Sequence, residues 1–410
     1  MLERELSHFL LSVVLLLSAA ILSGRIFSAF KMPAVIGEIL SGFILGPSFL
    51  GSFSPEMFGY LFQNFPGQDK LLSVFYWLGL ILLMFSAGFG LPRKFERGDA
   101  FLVLTLFTGG LLIPLMFGYQ YSHYMTNNMG SNDISFSLVI AVAASVTSIP
   151  VLSRIFLDFE IIESQFAKSI LTAAALQDLI LWVILSVALA IQSNQVIEDS
   201  NIFSSLQLVA NLSLFTLGVI CITQLISKLQ ERFFYQNPSE ASLISLILLV
   251  CLLLVSISAF LEVNVVFGAL LSGIVVGYFS DSRMTVAVQS VKSLSLGFFT
   301  PLYFSLVGLQ INIPHNFNIK LLLELLLLTT LVKVASVSIV ARLSLQSWRK
   351  AFNYGMAMNA RGGPGIVLAS LAYGSKIIDQ ELFVVLVLIS LITSLISSLW
   401  IRKRLGEIKK

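Results

Sequence analysis

Apolar runs of roughly 20 residues follow one another from end to end of this chain, and each is long enough to cross a bilayer of about 30 Å as a helix. In lipid every backbone amide must be satisfied internally, so only helices and closed barrels span. Barrel strands would show alternating polarity, and these runs do not alternate. Only 11% of the residues are charged, against about 25% in a soluble globular protein. The expected fold class is therefore an all-α polytopic membrane protein, with no room for a large soluble domain. About thirteen spans are expected, near 8–27, 33–50, 71–91, 101–120, 135–157, 168–192, 204–228, 241–261, 265–280, 293–313, 321–342, 352–373 and 382–401. The first lacks a clear cleavage signature and reads as a retained span rather than a signal peptide.

Charge fixes an orientation. With the N-terminus outside, only Arg4, Lys70, Lys320 and Lys376 of the 25 Lys and Arg face outward. Lys333 and Arg361 fall inside spans, and the remaining 19 lie on the inner side. The positive-inside rule gives N-out, C-in. The formal net charge of +3 is thus a topology signal and calls for no nucleic-acid partner. Cys221 and Cys251 sit in apolar runs and imply no disulfide, while His8, His123 and His315 fall near span ends, which argues against a histidine-built metal site. No phosphate loop, HExxH or nucleophile elbow is present. The reading is of a protein that is not an enzyme and takes no cofactor.

The chain repeats itself. "IGEILSGFILG" (36–46) and "FGALLSGIVVG" (267–277) share their glycines and a Leu-Ser-Gly core at an offset of 231 residues. They lie in spans 2 and 9, an odd number of crossings apart, so they run in opposite directions. Weaker echoes follow in order: "MFSAGFGL" with "YFSLVGLQI", then "VAASVTSIPV" with "MAMNARGGPG", which sets Pro150 opposite Pro364. Small-residue motifs also serve plain helix packing, but an ordered series fits two six-span inverted halves, about 8–192 and about 241–401, joined by a linker helix at about 204–228. Inverted repeats mark secondary transporters.

The polar residues at depth point the same way. Span 5 carries hydroxyls and a proline at 145–150, and span 12 carries three glycines and a proline at 359–365. Broken backbone at membrane depth is tolerated only where it is buried in protein or lines a watery cavity, and it presents helix ends and free carbonyls to cations. A plain proline kink is the alternative. Asp178, with Gln177 beside it, lies near the centre of span 6, where a carboxylate costs about 2.5–3.5 kcal/mol on insertion scales. Lys333 lies near the centre of span 11 and Arg361 inside the break of span 12. A buried Asp178–Lys333 pair that only fixes packing is one alternative. Neutralisation of helix-end carbonyls is another for Arg361. Glu38 and Glu324, near span ends, read as snorkelling or locally paired.

"AAALQDL", "VTSIPVLSRI", "FFTPLYFSLVGLQINI" and "NARGGPGIVLA" together resemble the second large branch of the monovalent cation:proton antiporter superfamily, over essentially the whole chain. The resemblance implies a single transporter domain over 1–410, in which a six-helix core moves against a dimerisation domain and two broken helices cross in the core. It further implies a carboxylate beside the crossing that binds a monovalent cation or a proton. Asp178 matches that carboxylate, Thr147 and Ser148 match the polar positions of the broken helix, and Lys333 matches the core lysine of sodium/proton members. Asn359, Pro150, Pro364 and Arg361 then support the breaks. Gln177 departs from the usual Asp-Asp or Asn-Asp pair and looks like the glutathione-gated potassium efflux antiporters, whose regulatory domain is not expected in this chain. A homodimer in a bacterial inner membrane is implied, exchanging Na+ or K+ for protons by alternating access. Protonation and cation binding compete for one carboxylate, since burial disfavours the bare charge and a nearby cation favours it. Gln177 offers an amide oxygen to the ion, and Lys333 has no neighbouring aspartate beyond Asp178. Two other functions fit the pattern: a sodium-coupled organic-solute symporter on a similar core, or a non-transporting membrane sensor.

Overall fold

The computed structural model describes residues 3–30, 32–90, 100–127, 134–162, 164–195, 214–215, 217–219, 239–261, 265–278, 282–311, 317–345 and 347–408. The expected linker helix near 204–228 falls almost wholly outside the described residues. The first half builds α1 (Glu3–Ala29), α2 (Ala34–Leu45), the short α3 (Leu50–Phe53) and α4 (Pro55–Phe62), α5 (Gln68–Phe89), α6 (Ala100–Asn127), α7 (Ile134–Ser145), α8 (Ile149–Asp158) and α9 (Gln165–Gln195). The second builds α10 (Glu240–Phe260), α11 (Val265–Tyr278), α12 (Ser282–Leu294), α13 (Thr300–Leu309), α14 (Ile319–Leu345), α15 (Trp348–Met358), α16 (Gly362–Gly374) and α17 (Gln380–Ile408). Among the described residues, eight helices are long and apolar enough to cross a membrane. Their outward faces are greasy: Leu323, Leu327 and Leu331 repeat every four residues along α14 and stay exposed, while Leu325 and Val337 turn inward. Such a stripe suits a hydrocarbon surround and not water.

The sequence places a span at 293–313, but the helix already begins at Ser282. Residues 282–292 are polar on one side, with Arg283, Gln289 and Lys292, so apolar run length understates the helix. A π-helical turn at Ser295–Phe299 joins α12 to α13. Pro301 follows it, and a proline ring has neither an N–H for the carbonyl four residues back nor room beside it. A widened turn relieves both problems.

Packing crosses the two halves. A Cβ on Gly42 of α2 would strike the Ser305 carbonyl of α13, and one on Gly308 would strike Ile39 O. The same exchange holds between α11 and α5, where Gly273 faces Phe85 O and Gly88 faces Leu270 O. Gly42 and Gly273 are the repeat-equivalent glycines of the Leu-Ser-Gly motif. Each motif helix therefore meets the third span of the other half at backbone contact, which only glycine permits. Helix contacts sort the chain into two bundles. One holds α1, α2, α5 and α10–α13. The other holds α6–α9 and α14–α17, and α9 against α11 is the main direct helix contact between them.

Candidate functional site

Both expected breaks are present, and they touch. Between α7 and α8, residues 146–148 leave the helix; between α15 and α16, residues 359–361 do. Pro150 is the second residue of α8 and Pro364 the third of α16. In a first turn the missing N–H would have no intrahelical acceptor, so each proline starts a helix segment and does not kink one. The carbonyl four residues before Pro364 is that of Ala360. It accepts instead from Ser148 N–H of the opposite break at 2.7 Å. Gly362 takes φ +42 with Ser148 and Val151 packed where a Cβ would project. The crossing thus needs glycine there for conformation and for space.

Thr147 and Gln177 tie this crossing to its neighbours. Thr147 Oγ1 lies 3.1 Å from both Gln177 Oε1 and Met358 O, and its single proton can serve one at a time. Gln177 Nε2 donates to Leu106 O at 3.1 Å and to Phe107 O at 3.4 Å on α6. A Cβ on Gly110 would strike Gln177 Nε2. Gly110 therefore makes room for the amide, and its carbonyl accepts from Lys333 Nζ. The sequence reading took Ser145 as one of the hydroxyls of the first break and did not single out Gly110 or Leu106. The Gly109–Gly110 pair inside an apolar run was the available signal.

Lys333 is fully buried and donates to Ser145 O as well as Gly110 O. Ser145 ends α7, so the ammonium caps a helix C-terminus whose carbonyls have no helical donor. It lies within electrostatic reach of Asp178, but its hydrogen bonds go to carbonyls. Arg361, 2% exposed, donates Nε–H to Ala143 O of the same helix end at 3.2 Å. Its Nη1 and Nη2 are buried without a partner.

Asp178 sits in α9, buried, with Oδ1 making no hydrogen bond. Asn359, at the second break, is also buried, with both amide atoms unpartnered. A buried carboxylate oxygen left open is costly unless something binds it. Among the described residues no cluster of three or more His, Cys, Asp and Glu exists. A single carboxylate suits a single charge, a monovalent cation or a proton, and lacks the multiple carboxylates a divalent ion favours. Glu324 is paired locally, accepting from Tyr121 Oη at 2.6 Å. Glu38 is not: its Oε2 is buried and makes no hydrogen bond, its stem lying against Gly24 of α1.

Residues 13–405 match the family described as the transmembrane part of sodium/hydrogen exchangers. The chain is 27% identical to a Na(+)/H(+) antiporter of Enterococcus hirae over 402 residues, covering 96% of this chain and 97% of that one. It is 26% identical to Cation/H(+) antiporter 15 of Arabidopsis thaliana over 409 residues, covering 95% of this chain and 47% of the plant protein. The chain spans about half the length of the first curated plant relatives it matches. Its fold superposes on the sodium proton antiporter MjNhaP1 of Methanocaldococcus jannaschii with a TM-score of 0.70 and 19% identity, over 98% of both chains. The matched family covers nearly every described helix, both breaks and Asp178: this chain belongs to the sodium/hydrogen exchanger transmembrane family.

Proposed function

We propose that the chain exchanges a monovalent cation, Na+ or K+, for protons by alternating access, with Asp178 as the group both compete for. The observation that carries this reading is the open Oδ1 of buried Asp178 in the helix that Gln177 straps to the crossing. Family membership and relatives named as cation/proton antiporters support it. With Asp178 protonated or cation-bound the site carries no bare anion and changes its facing; with Asp178 bare the desolvated charge opposes that change. Competition for one carboxylate is then the coupling itself. The proposal includes N-out, C-in insertion, from the inner excess of Lys and Arg. It also includes a homodimer in a bacterial inner membrane, which rests on the family alone: the glycines of α2 and α11 are occupied by contacts within the chain and do not call for a partner.

The test is a pH-dye assay in proteoliposomes with each alkali cation added in turn. Asp178→Asn should reduce cation-dependent proton movement to the empty-vesicle background while the protein remains folded and inserted. Intact exchange by a well-folded Asp178→Asn protein would remove Asp178 as the shared group.

A further inference from the structure

We propose that a surface strip running Arg342–Trp348–Phe352–Trp400–Arg404, over the adjoining ends of α14, α15 and α17, binds one anionic phospholipid by its headgroup. Three observations carry the assignment. The first is the continuity of the strip. Arg342 of α14 places Cζ 5.8 Å from the centre of the Trp348 ring of α15, and Arg404 places its own 5.1 Å from that of Trp400, both on α17. Trp348 and Phe352 are one turn apart and share a face of α15. Phe352 meets Trp400 at 5.2 Å between ring centres, and Trp400 Nε1 donates to Asn353 Oδ1 at 3.1 Å. Buried Ile401 joins the three helix ends beneath the strip, in one apolar cluster with Ala341, Ala351 and Tyr354. A ring face orients a guanidinium without occupying its N–H fork, and that fork matches phosphate oxygens in pairs.

The second is depth. α15 has 11 residues between Trp348 and the break that follows Met358, about 16 Å of helix. That is half of a hydrocarbon layer of about 30 Å. A break at mid-depth therefore puts Trp348 at the edge of the layer, the level where Trp rings gather. Trp348 and Phe352 are exposed, and so are the neighbouring Leu343 and Leu399. Acyl chains can cover these apolar groups while the two arginines stand at the level of the phosphate.

The third is charge. Residues 342–350 and 399–408 hold six Arg and Lys against one carboxylate, Glu407. Arg349, Lys350, Arg402 and Lys403 are exposed. A basic excess at one end of a bundle orients the chain and by itself calls for no ligand. Arg349 and Lys350, however, occupy the first turn of α15, where the helix dipole disfavours cations. The helix does not need them there, and an anion shared with Arg342 does. A zwitterionic headgroup brings its own cation and leaves the excess uncompensated; an anionic headgroup offsets it.

The test adds lipid to the purified protein in a neutral detergent and reads the thermal unfolding midpoint. Phosphatidylglycerol should raise it by about 2 °C or more, saturating as single-site linkage requires. Phosphatidylcholine with the same chains should not, and neither should glycerol phosphate, which has no chains for the apolar part of the strip. The double variant Arg342→Gln, Arg404→Gln should lose most of the rise. The double variant Arg25→Gln, Lys292→Gln removes as much charge from α1 and α12, in the other bundle, and should keep it. Trp348→Leu changes an exposed position, retains the apolar surface and removes the ring that orients Arg342. It should lose at least half of the rise, and it decides the matter if the arginine variant does not fold. Equal rises with the two lipids would reduce the effect to solvation of the greasy surface. Equal losses in the two double variants would reduce it to diffuse attraction, and an equal rise with glycerol phosphate to a free-anion site. Each of these outcomes, or a full rise in Trp348→Leu, would overturn the proposal. The readout is stability alone, so the outcome is independent of whether Asp178 carries antiport.

Discussion

Gln177 joins three elements with one amide. Its oxygen accepts from Thr147 at the first break, and its nitrogen donates to the α6 carbonyls of Leu106 and Phe107. The sequence suggests an amide oxygen facing an ion; in the structure that oxygen lies 3.1 Å from the Thr147 hydroxyl, an arrangement from which we expect the residue to act as a strap. Gln177→Ala should therefore destabilise the protein with or without cation, by about 1–3 kcal/mol for the buried partners it orphans. The check is the unfolding midpoint in sodium, potassium and choline buffers. A loss seen only with a transported cation would restore the ligand reading. Gly110 supplies a sharper version. Gly110→Ala pushes a Cβ into Gln177 Nε2, an overpacking that costs about 1–3 kcal/mol. In the Gln177→Ala background that obstacle is gone and only the flexible end of Met358, at 3.0 Å, must yield, so the two substitutions should be less than additive in a double-mutant cycle. Strict additivity would show that the two side chains do not share that space.

At the scale of helices, close approach is set by four glycines in two exchanged pairs, Gly42 with Gly308 and Gly88 with Gly273. Gly42→Ala and Gly273→Ala should each lower the unfolding midpoint, since backbone oxygen has little room to yield, at a cost of about 1–3 kcal/mol. Gly59→Ala, at a helical position with nothing within 4 Å, should be neutral or slightly stabilising. Equal behaviour of all three would mean that the α2–α13 and α5–α11 crossings are not set by backbone contact. The described spans and the two breaks were legible in the sequence because lipid imposes a length on apolar runs and because Pro150, Pro364 and the glycines beside Pro364 stand out against Leu and Val. The repeat was legible for the same reason. The partners of its glycines were not, because Leu-Ser-Gly reads alike whether it packs within the chain or against a second copy. The start of α12 was hidden by its polar face. Asp178 stood out as a lone carboxylate, but the hydrogen bonds of Lys333 did not, because a carbonyl partner leaves no trace in residue identity.

For the whole molecule, the proposed exchange moves a number of protons per cation set by which buried groups can let a proton go. Arg361 stays protonated at any relevant pH, and Gln177 exchanges none. The choice lies between Asp178 alone and Asp178 with Lys333. The Lys333 ammonium donates to two carbonyls, Gly110 on α6 and Ser145 at the end of α7. It thereby links two helices of the bundle formed by α6–α9 and α14–α17. Releasing its proton would leave an amine whose two remaining N–H groups still match the two carbonyls, but it would strip the positive charge that offsets the α7 C-terminus. That bundle would have to pay this penalty in every cycle, whereas Asp178 has an oxygen that makes no hydrogen bond and, in the proposed cycle, takes the proton. The expected stoichiometry is one proton for one monovalent cation, with no net charge moved. Proteoliposomes at saturating cation, with pH equal on both sides, provide the measurement. Clamping the membrane potential should leave the reversal point of cation-driven proton flux unmoved and change the rate little. A reversal point that shifts by about 2.3 kcal/mol of driving force per 100 mV, the worth of one elementary charge, would show that a second proton travels. Lys333→Gln, which keeps an N–H donor without a titratable group, would then be expected to abolish the shift and identify its carrier.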